Sequence, residues 1–137
     1  MILKEKYKTG VLWQDIQHTE LIDIIEKLSN PVTQKSAASI YTYTVGYLVT
    51  YALHHFNLEE GYMDEYKYPD TKFHKKAHRE FIQTLKGFRK KYPTYSQEAV
   101  DDLKKDIQDW ILNHICGNDQ KLGEFILEAE KQKLLKQ

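Results

Sequence analysis

An all-α fold, specifically an up-down-up-down four-helix bundle with an N-terminal arm and a short C-terminal helix, is what the sequence predicts, on three observations. Apolar residues recur at three- and four-residue spacing through four stretches, the three prolines all fall between those stretches, and no strand-like alternation is long enough to argue for a sheet. The 137 residues amount to one domain, 1–137, with a single core.

Residues 1–13 show no sustained period and read as the arm, with Leu12 and Trp13 as its anchors. Asp15 is placed as a helix N-cap, after which His18, Leu21, Ile22, Ile25 and Leu28 recur at helical spacing. This first helix is expected to end near Ser29-Asn30-Pro31, because proline disfavours helix in the residue before it, and Pro31 then suits the first turn of the next. The second helix is long, with a buried stripe of Tyr41, Val45, Leu48, Ala52, His55, Glu59 and Met63, and with Tyr51 and Tyr62 at its edge. It stops before Pro69. Asp70 is expected to cap a third helix, whose stripe of His74, His78, Phe81, Leu85 and Phe88 runs to Tyr92-Pro93. Ser96 opens a fourth, lined by Val100, Leu103, Ile107, Trp110, Ile111 and His114, with Gly117 as its C-cap. Leu122, Phe125, Ile126 and Ala129 form the short terminal helix.

Composition narrows the function classes. Twenty basic against twenty acidic side chains give no electrostatic reason to expect nucleic acid. No apolar run has the length of a membrane span, and the N-terminus lacks the hydrophobic core of a signal peptide, so neither membrane insertion nor export is expected. The single cysteine, Cys116, excludes an internal disulfide and suits the cytoplasm, and a structural role is the simpler one for it. The basic run from Lys72 to Lys91 reads as a solvated face.

Five of the six histidines sit on the core-facing stripes: His18, His55, His74, His78 and His114. One histidine on an apolar face is usually a satisfied core residue. Five clustered imidazoles each need partners for two ring nitrogens, and a metal satisfies several at once. His55 and Glu59, and His74 and His78, are four apart, so each pair presents two donors on one helix face. His54 lies about 100° round the helix from His55 and is read as solvent-facing. Glu59 competes between an exposed pair with Glu60 and ligation, and its place on the stripe favours ligation. Asp119 is five residues after His114, off the same face of a regular helix; it reaches the site only if the helix breaks at Gly117, and otherwise caps the terminal helix. The set is too nitrogen-rich for calcium or magnesium and too large for one tetrahedral zinc. Seven donors suit two octahedral-type ions bridged by carboxylates with one position open, for which iron fits best.

The pattern His18, His55-x3-Glu59, His74-x3-His78 and His114-x4-Asp119 resembles the hemerythrin family, and the length between His78 and His114 is similar to that of the bacterial single-domain members. The likeness covers the chain from Trp13 to the terminal helix, fills all seven ligand positions, and extends to His55-Phe56, Glu59-Glu60, Met63, Tyr68-Pro69 and Trp110-x3-His114-Ile115. It implies two non-haem iron ions, bridged by an oxo or hydroxo group and by Glu59 and Asp119. His74, His78 and His114 would hold one iron, and His18 and His55 the other, which keeps a position for dioxygen. Leu21, Ile22, Phe56, Met63, Trp110, Ile111 and Ile115 are expected to wall a dry oxygen pocket. The absence of Glu-x-x-His motifs argues against the oxygenase type of di-iron site. The leading expectation is therefore a monomeric oxygen carrier, store or delivery protein, not an enzyme, whose partner would be an oxygen-consuming protein. A peroxidase or nitric-oxide scavenger, and a redox sensor, stay open as alternatives.

Overall fold

The computed structural model describes residues 5–27 and 34–136, and among these every regular element is helical. After a 3-10 turn at Glu5–Tyr7 come α1 (Leu12–Lys27), α2 (Gln34–Glu65) and α3 (Thr71–Lys91). A last run, residues 97–135, is continuous: α4 (Gln97–Asp102), a π-helical segment (Leu103–Gln108), α5 (Asp109–His114), a second π-helical segment (Ile115–Asp119) and α6 (Gln120–Leu135). The expected boundary at Leu28, Ser29-Asn30-Pro31 and the side chain of Ile25 lie outside the described residues.

Three expected terminators are corrected. α1 starts at Leu12, ahead of Asp15, whose carboxylate instead reaches back to accept from the Thr9 backbone N–H (2.7 Å), the Thr9 hydroxyl (3.1 Å) and the Gly10 N–H (3.2 Å). It thereby ties the arm to the helix start, and Gly10, at φ +88°, makes the turn between them. Leu12 consequently faces solvent at 75% exposure; the anchors are Val11, which is buried, and Trp13, which stacks on Tyr62 at 4.8 Å. Asp70 stands at the N-cap position of α3 without a side-chain capping bond, because its carboxylate is taken by the Lys121 ammonium. Gly117 does not end a helix: the Gln120 N–H bonds the Ile115 carbonyl five residues back, so the chain widens by a π-turn and continues into α6.

Other boundaries follow expectation. Ser96 caps α4 by accepting from the Ala99 N–H at 3.0 Å. α2 ends before Pro69 in a Schellman arrangement: Tyr68 N–H to Met63 O at 2.9 Å, Lys67 N–H to Asp64 O at 3.4 Å, and Lys67 in the left-handed region at φ 55°. Met63 and Tyr68 pack together across that turn.

Two apolar clusters place the site. The larger holds Leu21, Ile22 and Ile24 of α1, Tyr41 to Phe56 of α2, Phe81 to Phe88 of α3, and Ala99 to Ile115 of the last run. The smaller holds Val11, Met63, Tyr68, Leu122 and Ile126. Each run passes between them, α1 and α3 from smaller to larger, α2 and the last run in reverse, which is the predicted up-down-up-down order. The histidines and Glu59 fall in the layer between. No helix among the described residues is long and apolar enough to cross a membrane.

Candidate metal centre

Each helical run contributes to one buried cluster. α1 supplies His18, α2 His55 and Glu59, α3 His74 and His78, α5 His114, and the second π segment Asp119. None of the seven is more than 5% exposed. His54, by contrast, is exposed.

The seven side chains divide into two groups that share their carboxylates. Glu59, His74, His78, His114 and Asp119 form one, and His18, His55, Glu59 and Asp119 the other; within each, one potential ligand atom per residue lies within 4.8 Å of all the rest. Glu59 Oε1 faces His78 Nε2 (3.0 Å) and His74 Nε2 (3.6 Å), while Oε2 faces His55 (3.5 Å) and His18 (4.0 Å). Asp119 repeats the arrangement: Oδ1 lies 3.0 Å from both His74 and His114, and Oδ2 lies 2.8 Å from His18. Each carboxylate thus turns one oxygen to each group.

The chemistry of this cluster fits metal ions. All five Nε2 atoms, Glu59 Oε1 and Asp119 Oδ1 are buried without a hydrogen-bond partner, a concentration of orphaned polar atoms that a native core does not tolerate unless something else satisfies them. Two of the outer ring atoms are tethered: His78 Nδ1 meets Glu60 Oε2 at 3.1 Å, and His55 Nδ1 meets Gln17 Oε1, whereas His18 Nδ1 is buried without a partner. Such outer contacts set the tautomer that leaves Nε2 free to ligate. Gln14, fully buried, donates to Glu59 Oε2 at 2.6 Å. Sequence reading missed Gln14 and Gln17. Their signal was present, since Gln14 falls one helical turn before His18 on the buried face and Gln17 directly before it.

Protonation follows the same geometry. Burial and the Asp119 charge push the Glu59 carboxyl up, but the His55 charge and contacts with His74 and His78 outweigh both and hold it below the ordinary carboxylate range. Burial also raises Asp119, yet the His114 charge and contacts with His114, His18 and His74 hold it well below that range. Burial opposes a charge on His74, but contacts with Asp119 and Glu59 raise it to about 9; His18 is raised by Asp119 against the same opposition. Burial dominates at His55, which is pushed down to about 4 despite Glu59. Without metal, the cluster keeps both carboxylates ionised and draws protons onto His74 and His18. Metal ions must displace those protons, so their affinity falls in acid.

A cavity of about 10 Å³, at the threshold for one water-sized molecule, adjoins the cluster. It is lined by His18 and His55 of the two-histidine group and by His114 and Asp119. Its other walls are Leu21, Ala52, Phe56, Phe81, Trp110, Ile111 and Ile115. Five of the seven expected pocket residues are among these. Ile22 packs in the larger cluster away from the cavity, and Met63 belongs to the smaller cluster, because it lies one turn beyond Glu59 on α2. Aromatic faces close the remaining sides: Phe56 stacks on His78 at 3.9 Å and Trp110 on His114 at 4.5 Å.

Comparison with known proteins agrees with this geometry. The family model described as the hemerythrin HHE cation binding domain matches residues 9–126. A bacteriohemerythrin of Stenotrophomonas maltophilia is 28% identical over 92% of this chain and 81% of its own length. One from Methylococcus capsulatus is 27% identical over 86% and 89%, and a myohemerythrin of Theromyzon tessulatum is 40% identical over about half of each chain, 49% and 50%. A crystal structure of wild-type hemerythrin superposes with a TM-score of 0.72 at 26% identity, covering 86% of this chain and 90% of that one. A bundle of this topology, a paired His/Glu/Asp cluster at its centre and a family match across that whole region together place the chain in the hemerythrin family.

Proposed function

We propose that this protein binds dioxygen reversibly at a pair of non-haem iron ions. His74, His78 and His114 would hold one iron and His18 and His55 the other, with Glu59 and Asp119 shared between them. The observation that carries this reading is the position of the cavity, which meets both histidines of the ligand-poor group but only His114 of the ligand-rich one.

Held by those residues, two ferrous ions would supply the electron pair that reversible dioxygen binding requires. The remaining work belongs to the protein. Five neutral imidazoles against two carboxylates keep the centre more positive than a carboxylate-rich set does, which disfavours oxidation beyond the ferric state and so favours binding without cleavage of the O–O bond. Leu21, Phe56, Phe81, Trp110, Ile111 and Ile115 keep bulk water and its protons from the cavity. Gln17 and Glu60 orient the His55 and His78 rings from outside. This machinery is that of an oxygen-binding protein, not of an enzyme.

The test is the visible spectrum of iron-loaded protein reduced without air, exposed to oxygen and then purged, together with its iron content. Two irons per chain and a coloured oxygenated form that bleaches on purging are expected. Immediate, permanent conversion to a ferric spectrum would refute reversible binding.

A further inference from the structure

Gln14 carries a feature that the ligand set does not account for. It lies on α1 one turn before His18, with none of its surface exposed. Its Nε2 donates to Glu59 Oε2 at 2.6 Å and lies 3.5 Å from the Asp119 backbone carbonyl. Both neighbours are acceptors, so the amide has one workable orientation, with its N–H end towards the carboxylate. Gln14 Oε1 points away and is itself buried without a partner. The chain makes room for this side chain: a Cβ at Gly123 would stand 3.2 Å from Gln14 Oε1 and 2.8 Å from Thr9 Cβ.

The contact is one-sided. A glutamate's terminal torsion is broad, so nothing intrinsic to Glu59 keeps its carboxylate plane turned with one oxygen to each histidine group. A short bond from Gln14 to Oε2, the oxygen on the His18 and His55 side, supplies that constraint, and hydrogen bonds to an ionised carboxylate are the strong kind. Among the described residues Glu59 Oε1 makes no hydrogen bond; it faces only His78 Nε2 and His74 Nε2, ring atoms that would themselves turn to a metal ion and so leave it without an outer tether.

We infer that Gln14 is a positioning residue: it fixes the plane of Glu59 so that the carboxylate spans both metal positions, and it acts chiefly on the two-histidine position. The inference rests on the two-metal reading above. It is tested with zinc, which has no redox chemistry, titrated calorimetrically into the metal-free full chain and into its Gln14→Met variant. Methionine fills similar volume without a donor. The variant is expected to bind the first zinc as the wild type does and the second at least about tenfold more weakly, the loss typical of an outer-layer partner. Two zinc ions bound with wild-type affinities, or both weakened equally as a merely loosened core would weaken them, would overturn it. Should Gln14→Met fail to fold by circular dichroism, Gln14→Leu, apolar and likewise without a donor, carries the same expectation. A wild type that takes up only one zinc would overturn the two-metal reading and this inference with it, whereas two in the wild type and an unchanged variant would remove this inference alone.

Discussion

Glu59 and Asp119 play matching parts in the cluster, yet the helices that carry them deliver them by different geometry. α2 is α-helical throughout its 32 residues, and His55 and Glu59, four apart, share a face by the ordinary period. His114 and Asp119 are five apart, which in a regular helix would set them about 140° from one another. The π segment Ile115–Asp119 removes that offset by taking up one extra residue in the turn, and both side chains meet at 3.0 Å. A π-turn gives up the tighter α-helical hydrogen bonding, and here it lies in the layer of the buried His/Glu/Asp cluster, as such bulges often do at functional sites. The lesson is that two side chains five apart in a helical run can share a face as two four apart do, provided the surrounding bundle holds the wider turn.

The sharpest test of this contrast deletes Gly117. Because the π segment already takes up one extra residue, the deletion leaves a regular helix in which His114 and the aspartate stand four apart and Leu122 and Ile126 keep their face. A folded protein that still binds metal is expected, and collapse in a denaturant titration would show that the wider turn is itself required. Next comes the regular side of the comparison. His55→Ala should weaken metal binding by more than the roughly 10–100-fold that an outer partner is worth, whereas His54→Ala, one residue away and exposed, should leave metal content unchanged. Equal losses in the two variants, measured by elemental analysis, would mean that the face of α2 has been misassigned.

Gly123 tests the seat of α6 against the arm. Gly123→Ala puts a Cβ 2.8 Å from Thr9 Cβ and 3.1 Å from the Thr9 carbonyl, an overpacking expected to cost about 1–3 kcal/mol in a thermal or denaturant melt.

The two carboxylates also differ in what they do to protons, which a pH series on the metal-free protein reads out. His74, raised to about 9 chiefly by its contacts with Asp119, contributes stability that is complete below the ordinary 6.5 and is lost as pH rises towards 9. His55, pushed down to about 4, costs stability as pH falls from 6.5 towards 4, and the depressed Glu59 and Asp119 add their own loss below the ordinary carboxylate range. Stability should therefore peak near 6.5, falling on either side by on the order of 1 kcal/mol per pH unit. Asp119→Asn should flatten the alkaline limb; persistence of that limb in denaturation midpoints would assign it to another group. The smallest effect concerns Gly117 itself. It lies in helical backbone, exposed, with nothing within 4 Å of an added Cβ, so Gly117→Ala should stabilise by about 0.4–1 kcal/mol. Marked destabilisation would restore the glycine as a helix breaker.

What the amino-acid sequence determined by itself is whatever depends on local period. The stripes of α2 and α3 are buried as their spacing implies, from Tyr41 to Met63 and from His74 to Phe88, because a regular helix maps spacing onto a face without help from its neighbours. The same holds for Ser96, whose cap needs only the backbone three residues on, and for five of the six histidines turning inward while His54 turns out. Tertiary structure decided the features that compete with a local signal. Asp15 and Asp70 both carry cap chemistry, but one carboxylate is drawn to Thr9 and Gly10 of the arm and the other to Lys121, a partner 51 residues away. Gly117 has the residue type of a C-cap, yet packing of Leu122 and Ile126 against α1 and α2 rewards a chain that runs on, and the orphaned ligand layer rewards one that widens. Spacing alone cannot weigh those contacts, since the first depends on the turn at Gly10 folding the arm back onto α1 and the others on residues far apart in the chain.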